Sequence, residues 1–251
     1  MEQIDTLKNG YKIIQDSESF QFGIDAILLA DFAAKEIKEG NSIIDLGTGT
    51  GIIPLLIEKR AEKFNNVKFT GLEVQRASAD MAARSVSLNG LDERIKIING
   101  DLTNLDGHKN ENKNPLFQKH SFNIVTCNPP YMIDDHGKSN ALDALSIARH
   151  EILCTLEDVV AAADYLLAPH GKFFMIHRPF RLPEIFEELS KHKLEAKRMR
   201  LIYPFANKDA NMVMIEARKN AKRRLTIEPP LIVRNDDGNY TDEINKIYSP
   251  C

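Results

Sequence analysis

The chain has 251 residues, 33 of them Lys or Arg and 36 Asp or Glu, for a net charge of −3, and 43% are apolar. This composition excludes a disordered, collagen-like or low-complexity chain and suits one large or two small globular domains. The near-neutral total points away from a nucleic-acid partner only as an average, and an average can hide a patch.

The first forty residues contain a helical stretch, Asp25–Ile37, ahead of the first sheet strand. Ser42–Leu46 reads as a strand ending in a glycine cluster, and Ile52–Lys63 as a helix with Pro54 in its first turn. Val67–Glu73 is a second strand, and Gln75–Leu88 a helix stopped by Asn89-Gly90. Ile95–Asn99 and Phe122–Cys127 are the third and fourth strands, joined through the polar stretch Asn104–His120. A second polar stretch, Met132–Ser146, follows. Then come a helix over Leu156–Leu167, a turn at Pro169-His170-Gly171, a strand over Lys172–His177 and a helix over Leu182–His192. Leu194–Tyr203 and Asn211–Arg218 close the pattern as a pair of strands, and the tail after Arg224 reads as irregular and partly mobile. Alternating elements predict an α/β fold: a seven-stranded, mostly parallel sheet with helices on both faces. The last two strands lack a helix between them and so predict an antiparallel hairpin at one edge.

Cys127, Cys154 and Cys251 are far apart with no Cys-x-x-Cys, which predicts reduced thiols in a cytoplasmic protein. The histidines show no metal-ligand spacing, so no metal is expected. Apolar stretches such as Ile52–Ile57 are far too short to cross a bilayer, and residues 1–10 carry Glu2 and Asp5 with no apolar signal region.

Asp45-Leu46-Gly47-Thr48-Gly49-Thr50-Gly51 lies between a strand and a helix, where glycines allow a tight turn and a close approach to a ligand. The spacing is G-x-G-x-G, which is neither the dinucleotide fingerprint nor a P-loop. Glu73 ends the second strand, where an acid accepts from ribose hydroxyls. Asp101 ends the third, where its carboxylate suits an adenine amino group and the Leu102 N–H a ring nitrogen. Asp45 ends the first, near the cationic half of such a ligand. Three acids at successive strand ends suit a nucleoside with a positive centre and no phosphate.

The fourth strand ends in Asn128-Pro129-Pro130-Tyr131. Prolines remove donors and leave carbonyls free to accept, Asn128 adds a side-chain acceptor, and Tyr131 adds a flat ring. That set fits a planar –NH2 group, whose delocalised lone pair makes it a weak nucleophile that must be oriented.

These residues resemble the class I S-adenosylmethionine-dependent methyltransferases from about Ile43 to Arg218. With Phe20–Ala30 and Ala148-Arg149-His150-Glu151, the combination is similar to the bacterial tRNA(Val) adenine-N6 methyltransferases. The resemblance implies a Rossmann-like methyltransferase fold, with S-adenosylmethionine as donor and S-adenosylhomocysteine as product. Residues 1–40 would cover cofactor and substrate, 41–224 form the methyltransferase domain and 225–251 an irregular tail, within one structural domain. It places the chemistry at Asn128, Pro129, Pro130 and Tyr131. Cofactor contacts would come from Phe22, Asp25, Asp45, Gly47, Thr48 and Gly49, and from Gly51, Glu73, Val74, Asp101, Leu102 and Asn128. The acceptor implied is N6 of an adenine next to the anticodon. Alternatives with the same tetrapeptide are a protein glutamine-N5 or an rRNA guanine-N2 enzyme, and, in another class, a non-catalytic RNA-assembly factor.

Two basic runs offer an RNA contact. Lys191–Arg200 is net +4, with Lys197, Arg198 and Arg200, and Arg218–Arg224 is net +5, with Arg218, Lys222, Arg223 and Arg224. The rest of the chain is then −12. Arg149 and His150 are further substrate candidates, with a charged helix start as the equal alternative. The partners expected are RNA, tRNA first, and no membrane; a monomer or weak homodimer is expected.

Overall fold

The computed structural model describes residues 1–16, 22–107, 115–129 and 154–249. β1 (Glu2–Thr6) and β2 (Lys12–Asp16) form a separate antiparallel hairpin. The main sheet contains β3 (Ser42–Leu46), β4 (Lys68–Glu73), β5 (Ile95–Asn99), β6 (Phe122–Cys127) and β7 (Leu167–His177). It continues through β8 (Leu194–Phe205), β9 (Met212–Lys219), β10 (Thr226–Ile227) and β11 (Leu231–Arg234). The strand order is β10-β8-β9-β7-β6-β3-β4-β5, with β11 also on β8.

All seven expected strands are present, but the sheet has nine and is mixed. The two extra strands come from the tail and pair in parallel with β8. The expected β8–β9 hairpin forms, and β10 and β11 lie outside it, so it is not the edge. β9 alone runs against its neighbours, antiparallel to both β7 and β8. The result is a Rossmann-like α/β fold.

Alternation along the central strands supplies two apolar faces. Ile43, Ile124, Phe174 and Ile176 face one layer, and Ile44, Leu46, Val125, Phe173 and Met175 face the other. The first layer holds α1 (Ile24–Ala34), α2 (Ile52–Arg60) and α3 (Arg76–Leu88), with residues of the β1–β2 hairpin. The second holds α4 (Leu156–Leu166) and α5 (Leu182–Lys191). Phe32 of α1 meets Phe174 edge-on at 5.8 Å between ring centres, which ties α1 to the middle of the sheet. No helix among the described residues is long and apolar enough to cross a membrane.

Three segments differ from the sequence expectation. β7 begins at Leu167, opposite Phe122, so Pro169-His170-Gly171 falls inside the strand at a shift of register instead of ahead of it. The tail is not irregular: besides β10 and β11 it forms α6 (Asp242–Tyr248), and Leu231, Val233, Ile244 and Ile247 are buried. Arg200 holds it in place, with two bonds to Glu243 at 2.7 and 2.9 Å and one to the Pro229 carbonyl at 2.8 Å. The β1–β2 hairpin was not expected, although Asn9-Gly10 between two strand-like runs is a hairpin signal. Gly10 takes a φ of 88°, which a side chain would resist.

Candidate functional site

The site lies at the carboxyl ends of the parallel strands. β3 pairs β6 with Leu46 opposite Cys127, so Gly47 and Asn128 leave the sheet side by side. Gly47 and Gly49 have φ of 67° and 56°, the left-handed region, and nothing stands within 4 Å of where their Cβ atoms would be. Gly47 and Thr48 both donate backbone N–H bonds to the Leu72 carbonyl, at 2.9 and 3.0 Å. Gly51 is the N-cap of α2, with its hydrogen position close against Ala82 of α3. The loop therefore forms a cradle across the ends of β3 and β4.

Glu73 reaches back across this loop. It is buried, and Oε2 accepts from Gly49 N at 2.9 Å while Oε1 accepts from Gln75 N at 2.8 Å. Its carboxylate keeps further lone-pair sites for hydroxyl donors. Val74 beside it is 41% exposed, an apolar surface left uncovered at a strand end. Asp101 caps the 3-10 turn Leu102–Asn104, accepting from Thr103 N at 2.8 Å and Thr103 Oγ1 at 2.9 Å. Gly100 N donates to the Glu73 carbonyl at 3.0 Å, which brings the two acidic strand ends together.

Asp45 is 1% exposed, and Oδ1 accepts from Thr126 Oγ1 at 2.6 Å. Burial pushes its carboxyl up to about 7; the Thr126 and Thr48 hydroxyls work against that rise and the Glu73 charge adds to it. The Thr48 hydroxyl acts on Asp45 without hydrogen-bond geometry, and Asp45 Oδ2 and Thr48 Oγ1 are buried polar atoms with no hydrogen-bond partner among the described residues. A cationic ligand with hydrogen-bonding groups over the glycine loop would satisfy them. Thr126 is a site residue the sequence reading missed. The signal was a hydroxyl in the otherwise apolar run Ile124–Cys127.

Asn128 is half-buried and Pro129 buried. Asn128 Nδ2 donates to Asp25 Oδ2 at 3.0 Å, linking the end of β6 to the first turn of α1. Phe22, ahead of α1, is half-buried and packs against the apolar layer beneath that helix. The glycine loop, Glu73, Asp45, Asn128 and Asp25 thus form one site. Pro130, Tyr131, Arg149 and His150 lie outside the described residues.

Residues 23–199 match the family Methyltransferase small domain. The chain belongs to this family. It is a class I S-adenosylmethionine-dependent methyltransferase, related to the bacterial tRNA(Val) adenine-N6-methyltransferases. Among its relatives is the tRNA1(Val) (adenine(37)-N6)-methyltransferase of Porphyromonas gingivalis W83, 25% identical, with 96% of this chain and 91% of that one covered. The same enzyme of Aeromonas hydrophila is 23% identical, with 96% and 93% covered. A predicted O-methyltransferase from Agrobacterium tumefaciens shares the fold at a TM-score of 0.68 and 24% identity, covering 90% of this chain and 98% of that one. So does the geranyl diphosphate C-methyltransferase of Streptomyces coelicolor, crystallised with S-adenosyl-L-homocysteine, at 0.55 and 12%, covering 76% and 78%.

The methyltransferase uses S-adenosylmethionine and releases S-adenosylhomocysteine. The residues present fit that group: an uncovered glycine cradle, a buried acid with an oxygen unpartnered among the described residues, and a second acid at the next strand end.

The basic runs meet, but elsewhere. Lys197 Nζ donates to the Lys222 carbonyl at 2.8 Å. Arg218 is opposite Lys172 in β7, three residues below Met175, which is level with Cys127. Arg218–Arg224 and the start of the first run, with Leu194 opposite Lys219, therefore gather toward the amino ends of the parallel strands, about 10 Å or more down the sheet from Asn128, whereas Arg200, opposite Met214 and so level with Ile176, stands at the carboxyl end. Arg198 is committed internally: it bonds Glu216 at 2.8 Å and Glu228 at 3.1 Å and stacks on Phe32 at 4.1 Å. Arg200 anchors the tail, and Arg218 bonds Glu216 at 2.7 Å. Lys222, Arg223 and Arg224 are exposed.

Proposed function

We propose that the methyltransferase transfers a methyl group to N6 of an adenine in tRNA, at the nucleotide beside the anticodon. The observation that carries this reading is Asn128, an amide at the end of β6 immediately beside the glycine loop. The relatives named as tRNA1(Val) (adenine(37)-N6)-methyltransferases align over nearly the whole chain and support the choice of acceptor.

When bound, S-adenosylmethionine supplies a methyl group on a sulfonium, which leaves as a neutral thioether without acid assistance. The chain's own task is to orient the amine. The Asn128 side-chain carbonyl and the Pro129 backbone carbonyl accept the two N–H hydrogens, and Tyr131 offers a ring for stacking. The nitrogen then faces the methyl carbon, and its surplus proton leaves to solvent after transfer.

The test is nucleoside mass spectrometry on total tRNA from a strain lacking this protein, before and after incubation with enzyme and cofactor. N6-methyladenosine should rise with wild type, and Asn128→Ala should cut the yield about a hundredfold with cofactor affinity retained. Methylation at another base or on protein, or full turnover by the variant, would reject the assignment.

A further inference from the structure

An asparagine has two ends of nearly equal size and opposite chemistry, a carbonyl that accepts and an NH2 that donates. Only the carbonyl suits an incoming amine, because the NH2 would set hydrogens against hydrogens. Nothing within Asn128 chooses between them. Asp25 does: a carboxylate offers only acceptors, so it takes the NH2 end, at 3.0 Å. The carbonyl oxygen, on the other branch of the planar amide, is then turned away from Asp25.

The carboxylate that makes this choice is itself fixed. Asp25 is 8% exposed, and its second oxygen accepts from Ala26 N at 3.0 Å. A Cβ at position 23 would stand 2.7 Å from that oxygen, so Gly23 leaves the space the carboxylate occupies. The approach to α1 is tied down as well: Phe22 N donates to Gln15 Oε1 at 3.4 Å, and Gln15 Nε2 donates to Asp5 Oδ2 at 2.9 Å.

We propose that Asp25 is a positioning residue for methyl transfer, holding the Asn128 amide with its carbonyl oxygen toward the target amine. This rests on the reading of Asn128 as an acceptor for that amine. It moves Asp25 from the cofactor-contact role implied by the family resemblance to control of the acceptor side.

Asp25→Asn is nearly isosteric and tests the idea. An amide at position 25 can also donate, so position 25 no longer selects the NH2 end of Asn128. Turnover at saturating cofactor and total tRNA from a strain lacking this protein should fall about tenfold to a hundredfold. The Kd for S-adenosylmethionine and the melting temperature should stay at wild-type values. Asn128→Asp places two carboxylates 3.0 Å apart and should also be poor. The double variant restores a donor opposite a carboxylate, whose second oxygen can accept from the amine. It should exceed both single variants. Wild-type turnover by Asp25→Asn, a loss confined to cofactor affinity, or a double variant no better than the singles would overturn the proposal. The outcome for Asn128→Ala separates the two layers. If that variant is inactive while Asp25→Asn is fully active, the acceptor reading survives and only the positioning role fails.

Discussion

Asp45 carries its proton more tightly in the fold than in the unfolded chain, because burial raises its carboxyl from 3.8 to about 7. The sign follows: the folded state binds the extra proton between those values, so stability of the cofactor-free protein falls as pH rises from about 4 to about 7. A cationic cofactor favours the ionised form and reverses the preference. Affinity for S-adenosylmethionine should therefore fall below pH 7, by up to about tenfold per pH unit. Calorimetric titration between pH 5.5 and 8 reads this, and Asp45→Asn should bind weakly with a flat profile; a flat wild-type profile would contradict it. Glu73→Ala should weaken cofactor binding about tenfold to a hundredfold, since it removes an acceptor and also releases Gly49 N. Equal calorimetric affinity would refute that. The spacing of Glu73 after the glycine loop was legible in the sequence. Its hold on the loop was not, because its partner is a backbone N–H, which no residue letter records. The Thr126–Asp45 and Asn128–Asp25 bonds were hidden for a different reason: they span 81 and 103 residues, and only the sheet register brings them together.

Among the elements, those with strong periodicity were legible. All seven expected strands and the helices between them formed, because apolar runs of strand or helix length leave few alternatives when both faces of a sheet are covered. The hairpin β1–β2 was missed because its exposed first strand carries little apolar signal. Its stability comes from the partners it meets. Asn89, legible as part of the stop of α3, also pairs with the backbone of Lys12, accepting from N at 2.8 Å and donating to O at 2.7 Å. Ser85 Oγ accepts from Ile14 N at 2.9 Å, and Tyr11 donates to Glu58 at 2.6 Å. Ser85 is fully buried, so Ser85→Ala leaves the Ile14 N–H without its acceptor and should cost about 1–3 kcal/mol, read by urea denaturation. An unchanged midpoint would show that the hairpin is held elsewhere. Because β2 leads through Gln15 to the start of α1, the same substitution should lower turnover more than cofactor affinity, measured on the folded variant.

Over the whole molecule, charge and chemistry occupy different ends. The acids around the glycine loop stand at the carboxyl ends of the strands, and the exposed cations Lys193, Lys222, Arg223 and Arg224 gather toward the amino ends. The sequence showed that the two basic runs flank one hairpin, but strand direction decided which end of the sheet they reach. A phosphate contact at that distance from Asn128 holds substrate and transition state equally, so it contributes to KM and not to kcat. Arg223 is the sharpest probe, since its side chain is 86% exposed and its only recorded ion pair among the described residues, with Glu195, is 3.7 Å long. Reversing Arg223 and Arg224 to Glu should raise the Kd for tRNA and reduce the slope of log K against log salt by about 1–2, while kcat at saturating RNA stays unchanged. Filter binding at several salt concentrations with parallel single-turnover assays separates the two effects. An unaltered slope would take the phosphate contact away from these runs and leave the rim around Asn128 as the surface to search. A fall in kcat would instead mean that RNA bound at the far end helps to place the adenine.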